Sequence, residues 1–154
     1  MAVSGSFRFK KVVQGSFMKQ CRISRPLLLA VDANIDNLWL LSMSLELFGL
    51  SHICIDQGKY AVEAAKRYHP ELILLDIVMS DLDGIAVANS LRAEPMTSDI
   101  PIIGMTAMVT WEYPECLPIH IFDKFLTKPY MLDDLEGIIT GCLSKTNSCL
   151  AIPA

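Results

Sequence analysis

A chain of 154 residues, 52% of them apolar and with a formal net charge of −4, has the length for one domain with a buried core and is short for two. No apolar run approaches the roughly 18 residues of a membrane span, so a soluble, cytoplasmic globular protein is expected, with no membrane partner. The charge is uneven: Arg8, Lys10, Lys11, Lys19, Arg22 and Arg25 stand in residues 1–25 without an acid, leaving 7 basic against 17 acidic residues in the body. An acidic body argues against nucleic acid as a partner, because phosphate contacts need Lys and Arg.

Residues 1–25 read as a basic flexible N-terminal extension without the apolar core of a secretory signal. The five cysteines (Cys21, Cys54, Cys116, Cys142 and Cys149) are scattered, without C-x-x-C spacing, and read as reduced thiols. From Pro26 apolar strands alternate with helical patterns. Leu27 to Val31 form the first strand. Leu38, Leu41, Leu45 and Phe48 follow on one helical face, which Asn34 or Asp36 caps and Gly49 ends. Ile53 to Ile55 make a short second strand, and Ala61, Ala64, Ala65 and Tyr68 a second helical stripe closed by His69 and Pro70.

Leu72 to Leu75 are continuously apolar, as a central parallel strand buried on both faces requires. A polar loop with Ser80, Asp81, Asp83 and Gly84 leads to a helix through Ile85, Ala88 and Leu91, with Asp83 in a capping position. Ile102 to Met105 give the fourth strand and Ile121 to Leu126 the fifth. Between them Pro114 and Pro118 leave room for at most a short, broken helix. Leu135, Ile138, Ile139 and Cys142 form the last helical stripe, and residues 144–154 read as a tail, so the domain is expected over 26–143.

Alternating strands and helices imply right-handed crossovers and an α/β, doubly wound, five-stranded parallel sheet in three layers. The expected order is 2-1-3-4-5, the flavodoxin-like arrangement. No glycine-rich phosphate loop is present, which removes the P-loop and Rossmann dinucleotide readings. Ligands bind at the carboxyl ends of parallel strands, where Asp32, Asp76, Thr106 and Lys128 all fall. Two carboxylates, a hydroxyl and an amine in one pocket suit a metal ion and a phosphoryl group.

The segments Leu29-Ala30-Val31-Asp32-Ala33-Asn34, Leu74-Leu75-Asp76-Ile77-Val78-Met79-Ser80-Asp81-Leu82-Asp83-Gly84, Met105-Thr106-Ala107 and Phe125-Leu126-Thr127-Lys128-Pro129 resemble, in order and spacing, the receiver domain of two-component response regulators, of the single-domain chemotaxis-regulator kind. The resemblance implies that Asp76 accepts a phosphoryl group from a histidine kinase or phosphotransfer protein. It implies a Mg²⁺ ion held by Asp32, Asp76 and the backbone carbonyl of Val78. Lys128 and Thr106 would contact the phosphoryl oxygens, a cis peptide would precede Pro129, and Thr106 with Phe125 would form a switch.

The sequence departs from the family where Ala33 stands in place of a second acid, so weakened Mg²⁺ binding is expected. Asn34 is a candidate neutral oxygen, and Ser80 replaces the usual proline. The leading reading is a stand-alone receiver that is not an enzyme and switches a protein-binding face. The alternative is a pseudo-receiver acting as a phosphorylation-independent adaptor. A third reading, a phosphatase-like hydrolase with Asp76 as nucleophile, lacks the needed second acid two residues on, where Val78 sits. His52, His69 and His120 have no spacing that suggests chemistry.

Overall fold

The computed structural model describes residues 25–79, 82–107 and 119–147. Five parallel strands, β1 (Leu27–Val31), β2 (Ser51–Ile55), β3 (Leu72–Asp76), β4 (Ile102–Thr106) and β5 (Lys124–Thr127), form one sheet in the expected order β2-β1-β3-β4-β5. Four α-helices are described: α1 (Ile35–Leu47), α2 (Ala61–Tyr68), α3 (Gly84–Ala93) and α4 (Leu132–Asn147). The proline-containing segment between β4 and β5, Ser80, Asp81 and residues 1–24 lie outside the described residues.

The strand period of two assigns the core. Leu28 and Ala30 of β1 and Leu72 and Leu74 of β3 face one layer, where Leu38, Leu41 and Leu45 of α1 meet Leu135, Ile139 and Cys142 of α4. Leu29, Val31, Ile73 and Leu75 face the other, covered by Ala61, Ala64 and Ala65 of α2 and Val87, Ala88 and Leu91 of α3. Each fully buried Leu or Ile contributes about 1.5–3 kcal/mol of transfer free energy, and β3 is buried at all five positions. The central strand carrying Asp76 is therefore anchored along its whole length, as is its neighbour β4.

Local chemistry sets the helix ends. The side-chain oxygen of Asn34 accepts the backbone N–H groups of Asp36 at 2.9 Å and Asn37 at 3.1 Å, capping α1. Gly49 takes up the left-handed conformation (φ 71°) that follows α1, and His69 does the same after α2 (φ 48°). Asp83 caps α3 by accepting the N–H of Ile85 at 3.0 Å.

Three expectations are corrected. Ile121 is not in β5: residues Ile119–Ile121 form a 3₁₀ turn, from which Ile121 and Phe122 pack on the α2–α3 layer, and the strand begins at Lys124. Tyr68 does not join the buried stripe of α2; it is exposed, with the Arg67 guanidinium 5.4 Å from its ring centroid. Residues 144–147 are helical, so α4 outlasts its apolar stripe.

Arg92 explains how the loop before β4 is fixed to the entry of β5. Its guanidinium donates to the carbonyls of Ser98 and Ile100, both at 2.7 Å, to Ile121 O at 3.0 Å and to the Asp123 carboxylate at 2.7 Å. Asp123 in turn accepts the N–H of Ile102 at 2.8 Å.

One glycine controls how α3 meets β3. A Cβ on Gly84 would overlap the backbone carbonyl oxygen of Asp76 and lie 2.6 Å from the Cα of Ile77, whereas one on Gly137 would meet nothing within 4 Å. Gly84→Ala is expected to cost about 3 kcal/mol, the upper range for overpacking, in urea denaturation. Gly137→Ala is expected to leave the midpoint unchanged or slightly raised, because helix-interior glycine costs about 0.5–1 kcal/mol relative to alanine.

Candidate phosphoacceptor site

The carboxyl ends of β1, β3 and β5 bring Asp32, Asp76 and Lys128 together. The Lys128 ammonium lies 2.9 Å from Asp32 Oδ2 and 3.4 Å from Asp76 Oδ1. Both aspartates are buried, at 3% and 7% exposure, so a single cation is shared by two carboxylates that solvent screens little. The Lys128–Pro129 peptide is cis, as expected from the family's pattern.

These groups open into a cavity of about 490 Å³ lined by Asp32, Ala33, Asn34, Asn37, Asp76, Val78, Ala107 and Lys128. Thr106 is buried and immediately precedes the lining residue Ala107; its carbonyl accepts the Lys128 N–H at 2.7 Å. Along β4, Thr106 shares a sheet face with Gly104, which is paired in register with Phe125. The Phe125 ring occupies the space this glycine leaves, since a Cβ there would lie 3.0 Å from Cδ1 of both Phe122 and Phe125. The two rings are 5.1 Å apart and tilted by 48°, a favourable aromatic arrangement.

Electrostatics follow from burial. Desolvation raises the pKa of Asp76, the neighbouring Asp32 charge raises it further, and Lys128 and the Val78 N–H only partly counter this. Burial works against the charge of Lys128, but the hydrogen bond and charge of Asp32, joined by Asp76, outweigh it, so its pKa is raised and the ammonium persists at neutral pH. In the opposite sheet edge, burial pushes the Cys54 thiol up to about 11 against a hydrogen bond from Ser42. That thiol is a structural group and not a nucleophile at neutral pH. His52, which spacing gave no chemistry, hydrogen-bonds Ser42 Oγ at 2.6 Å and ties β2 to α1.

The structure also adds a residue that sequence reasoning missed. Asn37, in the first turn of α1, donates from Nδ2 to Asp32 Oδ2 at 3.2 Å, while the Asn34 backbone N–H donates to Asp32 Oδ1 at 2.8 Å. Its signal was a polar residue in the first turn of a helix that starts at the pocket. Asn34, considered above as a neutral ligand, instead spends its side-chain oxygen on the helix cap. A second missed feature is the outer face of α1, where Ile35, Trp39, Leu40, Met43 and Leu47 are all exposed.

With this geometry in place, the relationship to known proteins is clear: a family model of the response regulator receiver domain matches residues 28–140. The chain belongs to this family, a class that works in two-component signalling. It is 34% identical over 126 residues to the peroxide stress-activated histidine kinase mak1 of Schizosaccharomyces pombe, which covers 78% of this chain and 8% of the kinase. It is 32% identical over 127 residues to the probable transcriptional regulator ycf27 of Cyanophora paradoxa, covering 82% of this chain and 52% of that protein. The chain thus spans about half the length, or much less, of these relatives.

Solved structures share the fold. A sensor protein from Polaromonas superposes with a TM-score of 0.73 at 22% identity, covering 79% of this chain and 98% of that one. The receiver domain of a sensor histidine kinase from Pseudomonas aeruginosa, which has a magnesium ion coordinated in its active-site cleft, gives 0.72 at 24% identity, covering 79% and 99%. Among the described residues no helix is long and apolar enough to cross a membrane.

The raised Asp76 pKa has a sign that can be tested. A carboxylate whose pKa is higher folded than unfolded lets the folded state bind more protons, so its charge lowers stability as pH rises through the window just above the ordinary carboxylate range. Asp76→Asn is therefore expected to raise Tm at pH 7. The gain is expected to shrink as pH falls below that window in a pH series of thermal melts.

Proposed function

We propose that Asp76 is the phosphoacceptor of a cytoplasmic signalling switch. The observation that carries this reading is the single Lys128 ammonium placed between Asp32 and Asp76 at the mouth of a cavity large enough for a phosphoryl group. An Asp76 carboxylate oxygen forms the new bond to phosphorus, the bond from phosphorus to a donor imidazole nitrogen breaks, and the imidazole leaves to take up a proton. Lys128 is within reach to neutralise the transferred group and Thr106 stands at the adjacent strand end to bind one of its oxygens. Turnover is not the purpose; the protein modifies itself.

The residues present fit Mg²⁺ at the lower limit of what that ion needs. It binds through one or two carboxylates plus waters and phosphate oxygens, and Asp32, Asp76 and Val78 line the cavity. Among the described residues no three His, Cys, Asp or Glu side chains cluster to hold a metal, which supports weak binding as the consequence of Ala33. Bound there, Mg²⁺ would supply charge neutralisation for the phosphoryl oxygens.

The phosphodonor is a histidine kinase or phosphotransfer protein that grips α1. The first turn of that helix lines the cavity, and Ile35, Trp39, Met43 and Leu47 continue outward from it at spacings of four as one exposed apolar row. The output face is built by β5, α4 and the segment between β4 and β5 that lies outside the described residues, and Phe125 transmits the state of Thr106 toward it. The pseudo-receiver reading is favoured by one observation: both oxygens of Asp32 already accept protein donors.

Two experiments separate these readings. Incubation with Mg²⁺ and a small phosphodonor is expected to give one phosphoryl adduct by intact mass, absent in Asp76→Asn; no adduct at any Mg²⁺ concentration would overturn the phosphoacceptor reading and favour the adaptor. Trp39→Ala is expected to slow transfer from a phosphohistidine protein about tenfold, as loss of an interface aromatic commonly does. The same variant should react with the small phosphodonor at the wild-type rate.

A further inference from the structure

We infer that Asn37 takes over the metal-facing role that Ala33 cannot fill, turning its side-chain oxygen to a divalent cation held by Asp32 and Asp76. The inference rests on the metal-assisted reading of the site given above.

Three observations converge on this residue. Asn37 and Ala33 line the same cavity as the two aspartates, so a neutral oxygen on Asn37 borders the space that the methyl group of Ala33 leaves open. The second amide of the cavity wall is already committed, since the Asn34 oxygen accepts two backbone donors of α1. The amide of Asn37, in contrast, makes a single long contact, from Nδ2 to Asp32 Oδ2 at 3.2 Å, on an oxygen that Lys128 holds more closely at 2.9 Å.

A half-turn about the last side-chain torsion exchanges the nitrogen and oxygen of an asparagine amide without moving its backbone. In the metal-free pocket, donation to Asp32 favours nitrogen inward. A cation against Asp32 reverses the sign of the local field, repels the N–H dipole and attracts the carbonyl end. An amide oxygen is an accepted hard-cation ligand, and its position in the first turn of α1, where the backbone is capped, fixes it against the cavity.

The role predicts a specific pattern of coupling. If Asn37 stands in for the acid, it becomes dispensable once an acid is restored at position 33. If it merely braces Asp32, its loss costs the same factor in either background. Mg²⁺ titrations by isothermal calorimetry on the full chain, for wild type, Asn37→Ala, Ala33→Asp and the double variant, measure this directly, after circular dichroism and metal-free melts confirm that each folds. Asn37→Ala is expected to weaken Mg²⁺ at least tenfold in the wild-type background and less than threefold in the Ala33→Asp background. The side-chain NH₂ resonance of Asn37 is also expected to shift on Mg²⁺ addition to wild type.

Equal losses in the two backgrounds, or an unchanged affinity in Asn37→Ala, would overturn the inference while leaving the phosphoacceptor reading intact. Absence of Mg²⁺ binding by wild type would overturn it together with the metal-assisted part of that reading. Failure of the phosphoacceptor reading itself is read separately, from the mass adduct on Asp76.

Discussion

Two buried carboxylates share one ammonium, and the pocket depends on that arrangement. Asp32 just follows β1 and Asp76 ends β3, adjacent strands, at the end where the chain leaves the sheet. Without Lys128 the pair would be an uncompensated double negative charge in a poorly screened space, an arrangement that costs several kcal/mol. Lys128 reaches them from β5, two strands away from β3 in the sheet order. The charge triad therefore fastens the middle of the sheet to its edge, and it does so only if β4 keeps those strands in register.

The register in turn rests on features remote from the charges. Arg92 collects the carbonyls before β4 and the carboxylate before β5, so the two strands enter the sheet with a fixed offset. Gly84 lets the start of α3 close against the carbonyl of Asp76, which sets the path of the chain leaving β3. Gly104 leaves the volume that the Phe125 ring fills. Each is a polar or steric condition on backbone placement, and together they hold the Asp76 carboxylate within reach of its counter-ion.

Most of the fold was legible because strand and helix periods differ and most core positions obey one or the other. β1 was located to its end residues, the parallel sheet followed from the alternation of strand and helix, and its order from the flavodoxin-like arrangement. The misplacement at β5 has a physical cause: Ile121, at the end of a 3₁₀ turn, and Phe122, just after it, are apolar because they cover the α2–α3 layer, and apolarity alone does not distinguish that from a strand. Tyr68 misled in the same manner, its ring serving as a shelf for Arg67.

The site was legible only in part. The carboxyl-end rule placed Asp32, Asp76, Thr106 and Lys128 at one end of the sheet, but hydrogen bonds within the pocket are not written in spacing. α1 is apolar nearly all round, so its sequence fits either an inner or an outer stripe, and burial alone reveals that Ile35, Trp39, Met43 and Leu47 face outward. Asn34 and Asn37 are chemically alike and three residues apart; which one caps the helix and which one faces Asp32 is decided by backbone angles at the helix start.

That first turn of α1 has a consequence for information flow. Its inner surface belongs to the pocket and its outer surface begins the apolar row, so a partner pressing on one side and an ion or anion settling on the other act on the same few backbone bonds. Any free energy by which a docked protein rearranges this turn must reappear, with equal size and sign, as a change in the pocket's affinity for its small ligand. The helix start is thus a two-sided balance: under the docking proposed above, a donor protein on the outer row would alter the pocket, and a ligand in the pocket would alter the hold on that protein.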